Sequence, residues 1–220
     1  MAAAVVVVAA ALITAVVGAG RRWRRIAPDR ERALRRALAW FVLATQAASL
    51  WYWLRPARYD PTISLPLHVC DLVPWVAALV LLVGPARWPA AAGLAYFWGI
   101  GLSGWGFVWP VLRSGPATLH FWLFWLVHLQ IVGTACYLVF ASDWRPTRRD
   151  LRIAAVGTLA YAIAITPANL LFAADYGYVG PGGGPASLLG PWPWRMGIVV
   201  GGQVAIFVLL WWPWRREGLA

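Results

Sequence analysis

The chain has 220 residues, 61% of them hydrophobic and 12% charged, and its net charge of +11 is carried by arginine without a single lysine. That composition excludes a soluble domain hiding its apolar residues in one core, and the missing lysine excludes a retinal Schiff base, a pyridoxal phosphate linkage and a Walker site. The basic residues stand in short gaps between apolar runs rather than on one folded surface, so they report membrane topology and not nucleic acid.

Residues 2–19 (AAAVVVVAAALITAVVGA) reach the length of about 20 residues that a bilayer core requires. The basic cluster RRWRR follows this run instead of preceding it, which predicts a retained helix and not a cleaved signal. Further apolar segments at about 36–54, 65–83, 89–111, 117–140, 151–173 and 194–213 bring the expected spans to seven. The fold class predicted is all-α, a polytopic seven-helix membrane bundle forming one domain over residues 1–220, multi-pass in the cell membrane. Fifteen arginines fall in the first, third and fifth gaps, the adjoining helix starts and the tail; only Arg55, Arg58, Arg113 and Arg195 fall on the other side. Because translocated short loops are poor in arginine, the N-terminus is expected outside and the C-terminus inside.

The third span holds LPLHVCDLVP, with Pro66 near its start and Pro74 within it. Pro74 cannot donate to the carbonyl of Cys70, so a kink is expected there. His68 and Asp71 can share a helix face, with Cys70 beside it, and a carboxylate in a bilayer must face the bundle interior. The fourth span contains Gly99, Gly101 and Gly104 in the spacing of a dinucleotide fingerprint. That motif needs a preceding strand, so these glycines are read as a packing face or a kink.

The fifth span carries His120 near its start and His128 near its middle. Counted from the span starts, Cys70 and His128 differ in depth by about 8 Å at 1.5 Å per residue, and Asn169 of the sixth span lies at comparable depth. The long loop 175–194 is rich in glycine and proline, and Trp192 in it reads as an interfacial anchor or part of a lid. Cys136 has no ionisable residue within a turn and is expected to pack. His68, Cys70, Asp71, His120 and His128 show no metal-ligand spacing, and neither metal nor cofactor is expected. The polar residues alone leave three readings open: a cysteine nucleophile activated by histidine, a ligand or transport site, and a structural polar network.

SLPLHVCDL (64–72), YFWGIG (96–101), HFWLFWLVH (120–128) and LLGPWPW (188–194) resemble the YwaF-like family of bacterial integral membrane proteins, over residues 40–215. That family is similar to an animal transmembrane acyltransferase family that remodels ether phospholipids, in which a cysteine is proposed to carry the acyl group and a histidine to assist. The resemblance implies a lipid acyltransferase or acyl hydrolase with Cys70 as nucleophile and His128 as base. His68, Asp71, His120, Asn169, Asp175 and Trp192 would then support or bind. The implied partners are membrane lipids, with a phospholipid or acyl thioester as acyl donor. The alternative is a seven-helix transporter or sensor whose polar cluster binds a ligand without catalysis. Where the family usually reads N-Y-M, this chain has Asp175, Tyr176 and Gly177 followed by extra glycines, a change that bears on substrate more than on chemistry.

Overall fold

The computed structural model describes residues 2–112 and 114–215; Arg113 and Arg216, used in the orientation count, and the outermost residues of the expected 1–220 domain lie outside that set. Among the described residues there are helices and no strands. Eight helices follow one another: α1 Ala2–Ile26, α2 Pro28–Leu54, α3 Val69–Val83, α4 Pro89–Tyr96, α5 Trp105–Val108, α6 Leu119–Phe140, α7 Arg148–Phe172 and α8 Trp194–Trp211. Five of them, α1, α2, α6, α7 and α8, are long and apolar enough to cross a membrane. That is fewer than the seven expected, and the shortfall lies in the third and fourth spans.

The third span was expected from residue 65, but the helix starts at Val69 and Pro66 lies outside it. The Asp71 carboxylate at the third helical position accepts the His68 amide N–H at 3.1 Å, which fixes His68 as the cap. With 15 residues the helix is about 22 Å long, short of a bilayer core of about 30 Å. The fourth span, expected to run over 89–111, is broken. α4 passes into a π-helical turn over Phe97–Leu102, in which the Ser103 N–H reaches back to the Trp98 carbonyl at 2.9 Å, and α5 adds only one turn.

The glycines of this segment explain the break. A Cβ on Gly101 would meet the Phe207 ring of α8 at 2.7 Å, and one on Gly99 would meet α6 at 3.3 Å. Backbone therefore packs where side chains would not fit, as the packing reading of these glycines anticipated.

The remaining boundaries move for local reasons. α1 continues seven residues past the expected end at 19 because its arginines are good helix formers and nothing interrupts it before Pro28. α2 starts at Pro28, a residue suited to a first turn, eight residues before the expected 36. α7 starts at Arg148, not 151, because Thr147 and Asp150 form a capping box.

Three side-chain contacts set the register of α6 on α2. Tyr137 donates to Glu31 at 2.8 Å, Gln130 donates to Thr45 at 2.8 Å, and His120 stacks on Tyr52 at 5.9 Å. α3 meets α2 the same way round, through Gln46 to the Asp71 carbonyl at 3.1 Å and Arg35 to the Leu81 carbonyl at 2.6 Å. Both α3 and α6 are thus antiparallel to α2 and parallel to each other. Val73, Phe97, Val127, Ile131, Tyr161 and Phe207 join in the main apolar core, and Cys70 packs against it.

Candidate functional site

Cys70 is the second residue of α3 and is half-buried as a free thiol. Its surroundings come from two other parts of the chain. Tyr161 of α7 donates to the Leu67 carbonyl at 2.6 Å, just ahead of the helix. Tyr178, in the loop after α7, has its phenol pushed up to about 12, by burial first and then by nearby Cys70, Asp175 and Asp71. It stays protonated at neutral pH and remains a donor.

His128 is buried on α6. Its Nδ1 lies 2.7 Å from the Phe124 carbonyl, an acceptor only, so that nitrogen carries the proton and Nε2 is left as a proton acceptor. The Phe124 ring covers one face at 4.2 Å, and Gly106 of α5 lies so close that a Cβ there would come within 2.6 Å of Nε2.

The heights of Cys70 and His128 follow from α2. Thr45 and Gln46 are adjacent, and one bonds Gln130 while the other bonds Asp71. From those anchors His128 is two residues and Cys70 one residue nearer the helix starts, steps of about 3 Å and about 1.5 Å in the same direction. Gln130 also donates to the Phe41 carbonyl at 3.3 Å, one turn from Thr45, so these anchors place the two side chains within about one helical turn, or about 5 Å, of the same height, where run lengths alone predicted an offset of about 8 Å. Among the described residues no hydrogen bond joins them; Cys70 packs against the main core, to which Val127, the neighbour of His128 in α6, also belongs.

The other expected site residues divide into two groups. His68, Asn169, Asp175 and Trp192 belong to one construction that holds the loop after α7 over the start of α3. Asn169 is fully buried and spends its amide on that loop, donating to the Tyr176 carbonyl at 3.0 Å and accepting the Tyr176 N–H at 2.8 Å. Tyr176 in turn donates to the Pro61 carbonyl and accepts the Leu65 N–H, at 2.8 and 3.0 Å. His68 Nδ1 accepts the Gly177 N–H at 3.3 Å, and the Trp192 indole donates to the Val179 carbonyl at 3.1 Å. Asp175 accepts the Gly180 N–H at 2.9 Å and lies 3.6 Å from Arg195. Burial raises the Asp175 pKa, against the opposing effects of the Gly180 amide and Arg195.

His120 stands apart, bonded to Ser114 at 3.0 Å and packed on Tyr52 and Trp53 near the start of α6. Trp192 thus ties the loop after α7 to itself through the Val179 carbonyl, and Asp71 spends one carboxylate oxygen on a helix cap.

Arg195 was not expected at the site, since by sequence it counted only as an arginine in a gap. It is 4% exposed and donates to the carbonyls of Gly180 and Gly182, which clamps the glycine-rich loop. Gln46, Gln130 and Tyr161 were also missed. Their signal was available, because an amide or a phenol within an apolar span needs an internal partner. Among the described residues no three His, Cys, Asp or Glu side chains converge as a metal-ligand set.

A profile of the TMEM164 family matches residues 1–212 of the chain. No curated protein and no solved structure matches it.

Proposed function

The chain belongs to the TMEM164 family and is a multi-pass membrane protein, and from that premise we propose that it transfers acyl chains to or from a membrane lipid through an acyl-cysteine on Cys70. The observation that supports this reading best is the similar depth of Cys70 and His128, whose helices both pack on the middle of α2 through Gln46 and Gln130. In the proposed reaction His128 Nε2 takes the thiol proton, and the thiolate attacks the carbonyl of a phospholipid ester or an acyl thioester. The tetrahedral intermediate collapses with return of the proton to the leaving oxygen or sulfur, and the acyl chain stays on Cys70. His128 then deprotonates the acceptor hydroxyl, or water in the hydrolytic case, which displaces the thiolate. Tyr178 supplies a protonated hydroxyl on the Cys70 side as a candidate oxyanion donor.

In this reading α3 and the broken segment from α4 to α5 complete seven crossings in the cell membrane, with the N-terminus outside. The cysteine then lies near the outer end, beneath the loop after α7. The bilayer delivers the apolar substrate directly, so no soluble acyl-binding domain is required.

The test is covalent capture. Purified protein incubated with a phospholipid or acyl thioester should carry a hydroxylamine-sensitive acyl group on Cys70 and none on Cys136. His128→Ala should slow its formation by about 10²–10⁴-fold, the range for loss of a general base. A Cys70→Ala protein with full function would overturn the reading and leave a ligand-binding or transport role.

A further inference from the structure

A second cluster lies at the end of the bundle where α2 finishes and α6 begins. Tyr52 of α2 is buried and serves as a platform for two cations. The Arg55 guanidinium lies 5.0 Å from its ring centroid and 4.9 Å from that of Trp51, and the Arg58 guanidinium lies 4.6 Å from Tyr52. The His120 ring stacks on the same tyrosine at 5.9 Å.

Neither arginine is paired with a carboxylate among the described residues. The nearest acid in sequence, Asp60, turns inward on its own loop, accepting the Thr62 N–H at 2.8 Å and the Thr62 hydroxyl at 2.7 Å. Arg55 Nε is buried with no hydrogen-bond partner. Two guanidinium groups held over aromatic rings, one with an unspent buried N–H, form a prepared site for an anion.

The surroundings indicate which anion. Trp51 is 60% exposed, and Leu54, Tyr59 and Ile63 are exposed large apolar residues of the same corner. An arginine pair beside exposed tryptophan and tyrosine at the end of an apolar helix fits the headgroup level of a bilayer. Tyr52 is six residues beyond Gln46 on α2 and Cys70 one step beyond the same anchor, so the Tyr52 ring is about 7.5 Å above the height of Cys70. A glycerophospholipid whose phosphate lay on these arginines would hang its ester carbonyls a few bonds deeper, towards that height.

We propose that Arg55 and Arg58, mounted on Tyr52 beside His120, bind the phosphodiester of a membrane phospholipid headgroup. The purpose of the site rests on the acyl-transfer reading, since it would hold the lipid whose ester Cys70 attacks. Its existence does not rest on that reading.

The experiment uses full-length delipidated protein in neutral detergent, both unaltered and as Cys70→Ala, and counts bound lipid by native mass spectrometry. The probes are phosphatidylglycerol, diacylglycerol with the same chains, and inorganic phosphate. Phosphatidylglycerol should be retained at least about tenfold more tightly than diacylglycerol, with Arg55→Gln/Arg58→Gln removing most of that preference and Arg87→Gln leaving it intact. If the double variant does not fold, Arg58→Gln alone should still weaken retention by about threefold, because that side chain is exposed. Equal retention of the two lipids, or an unchanged preference in the variants that fold, would overturn the site. Inorganic phosphate competing as well as the phospholipid would overturn the lipid assignment. Because Cys70→Ala cannot be acylated, a failed headgroup preference leaves the acyl-cysteine reading standing. A missing acyl-cysteine in unaltered protein likewise leaves the headgroup site standing.

Discussion

Adding one methyl group at Gly106 tests the role of His128 without altering the histidine. A Cβ there would press hardest on Cδ2 of the ring and would lie 2.6 Å from Nε2 and 2.9 Å from Cγ. Ordinary contact is about 3.5 Å, so the ring must retreat by about 1 Å. It has little freedom to do so, since Nδ1 is bonded to the Phe124 carbonyl and the Phe124 ring covers one face. Overpacking of this kind costs about 1–3 kcal/mol in stability. A catalytic base displaced by about 1 Å costs about 10²-fold in rate. Gly106→Ala should therefore lower the rate of Cys70 acylation, followed by intact-protein mass, by about 10²-fold while the protein still folds. Gly197→Ala, where the added carbon meets nothing within 4 Å, serves as the control and should react normally. A Gly106→Ala protein that is destabilised yet acylates Cys70 at the full rate would refute the argument, because His128 would have moved without consequence.

Asn169→Ala should lower stability by about 2–4 kcal/mol in thermal unfolding, since it strands both the N–H and the carbonyl of buried Tyr176; a loss below 1 kcal/mol would mean that the loop does not depend on it. Asp175 binds its proton more tightly folded than unfolded, so its contribution to stability is present below the ordinary carboxylate pKa and is lost as pH rises through the raised value. The melting temperature of Asp175→Asn relative to the unaltered protein should thus climb with pH across that window and then level off, and a falling difference would contradict the sign. Pro74→Ala restores a donor to the helix interior and should keep or raise stability while function falls; unchanged activity at normal expression would remove the proline from the site. A cytoplasmic reporter fused after Ala220 should be active and an external one silent, and the reverse would overturn the orientation drawn from the arginines.

Hydropathy located α1, α2, α6, α7 and α8 because each is a long run whose backbone must bond to itself in lipid. It misjudged where α1 ends and where α2 begins for a related reason: apolarity marks the edge of the membrane, whereas a helix runs on until a proline or a cap stops it. The start of α3 was hidden because Leu65 and Leu67 look helical, while the deciding contact is one carboxylate oxygen on the His68 amide. The π turn was not legible, since it arises from how closely Gly99 and Gly101 approach α6 and α8. For the candidate site, the residue types stood out as ionisable groups in apolar runs, but their partners did not. Period and depth cannot tell which way a helix is rotated, so Asn169 gave no sign that it serves the loop. Arg195 looked like a topology marker until the Gly180 and Gly182 carbonyls were seen around it.

Irregular backbone within a bilayer survives only where protein or water covers it. In this chain the irregular parts are the short α3, the π turn, which is largely buried, and the lone turn of α5, which sets Gly106 against the bundle and leaves Trp105 and Val108 exposed. Gly99 and Gly101 set the π turn against α6 and α8, and Gly106 sets α5 against the His128 ring. Of the five long helices α6 is the most buried, and α1 and α8 are the least. The long outer helices thus meet the demands of lipid and leave α3 and the segment from α4 to α5 free to be short and broken around α6. Cys70 is on the short helix, His128 is on the buried one, and the residues that level them, Thr45 and Gln46, belong to the helix that packs against both. If that levelling serves catalysis, Gln46→Leu should slow Cys70 acylation more than it lowers stability, because it releases α3 from α2 at the carbonyl next to Cys70 while keeping the apolar bulk. An equal loss in both would make Gln46 a packing residue only.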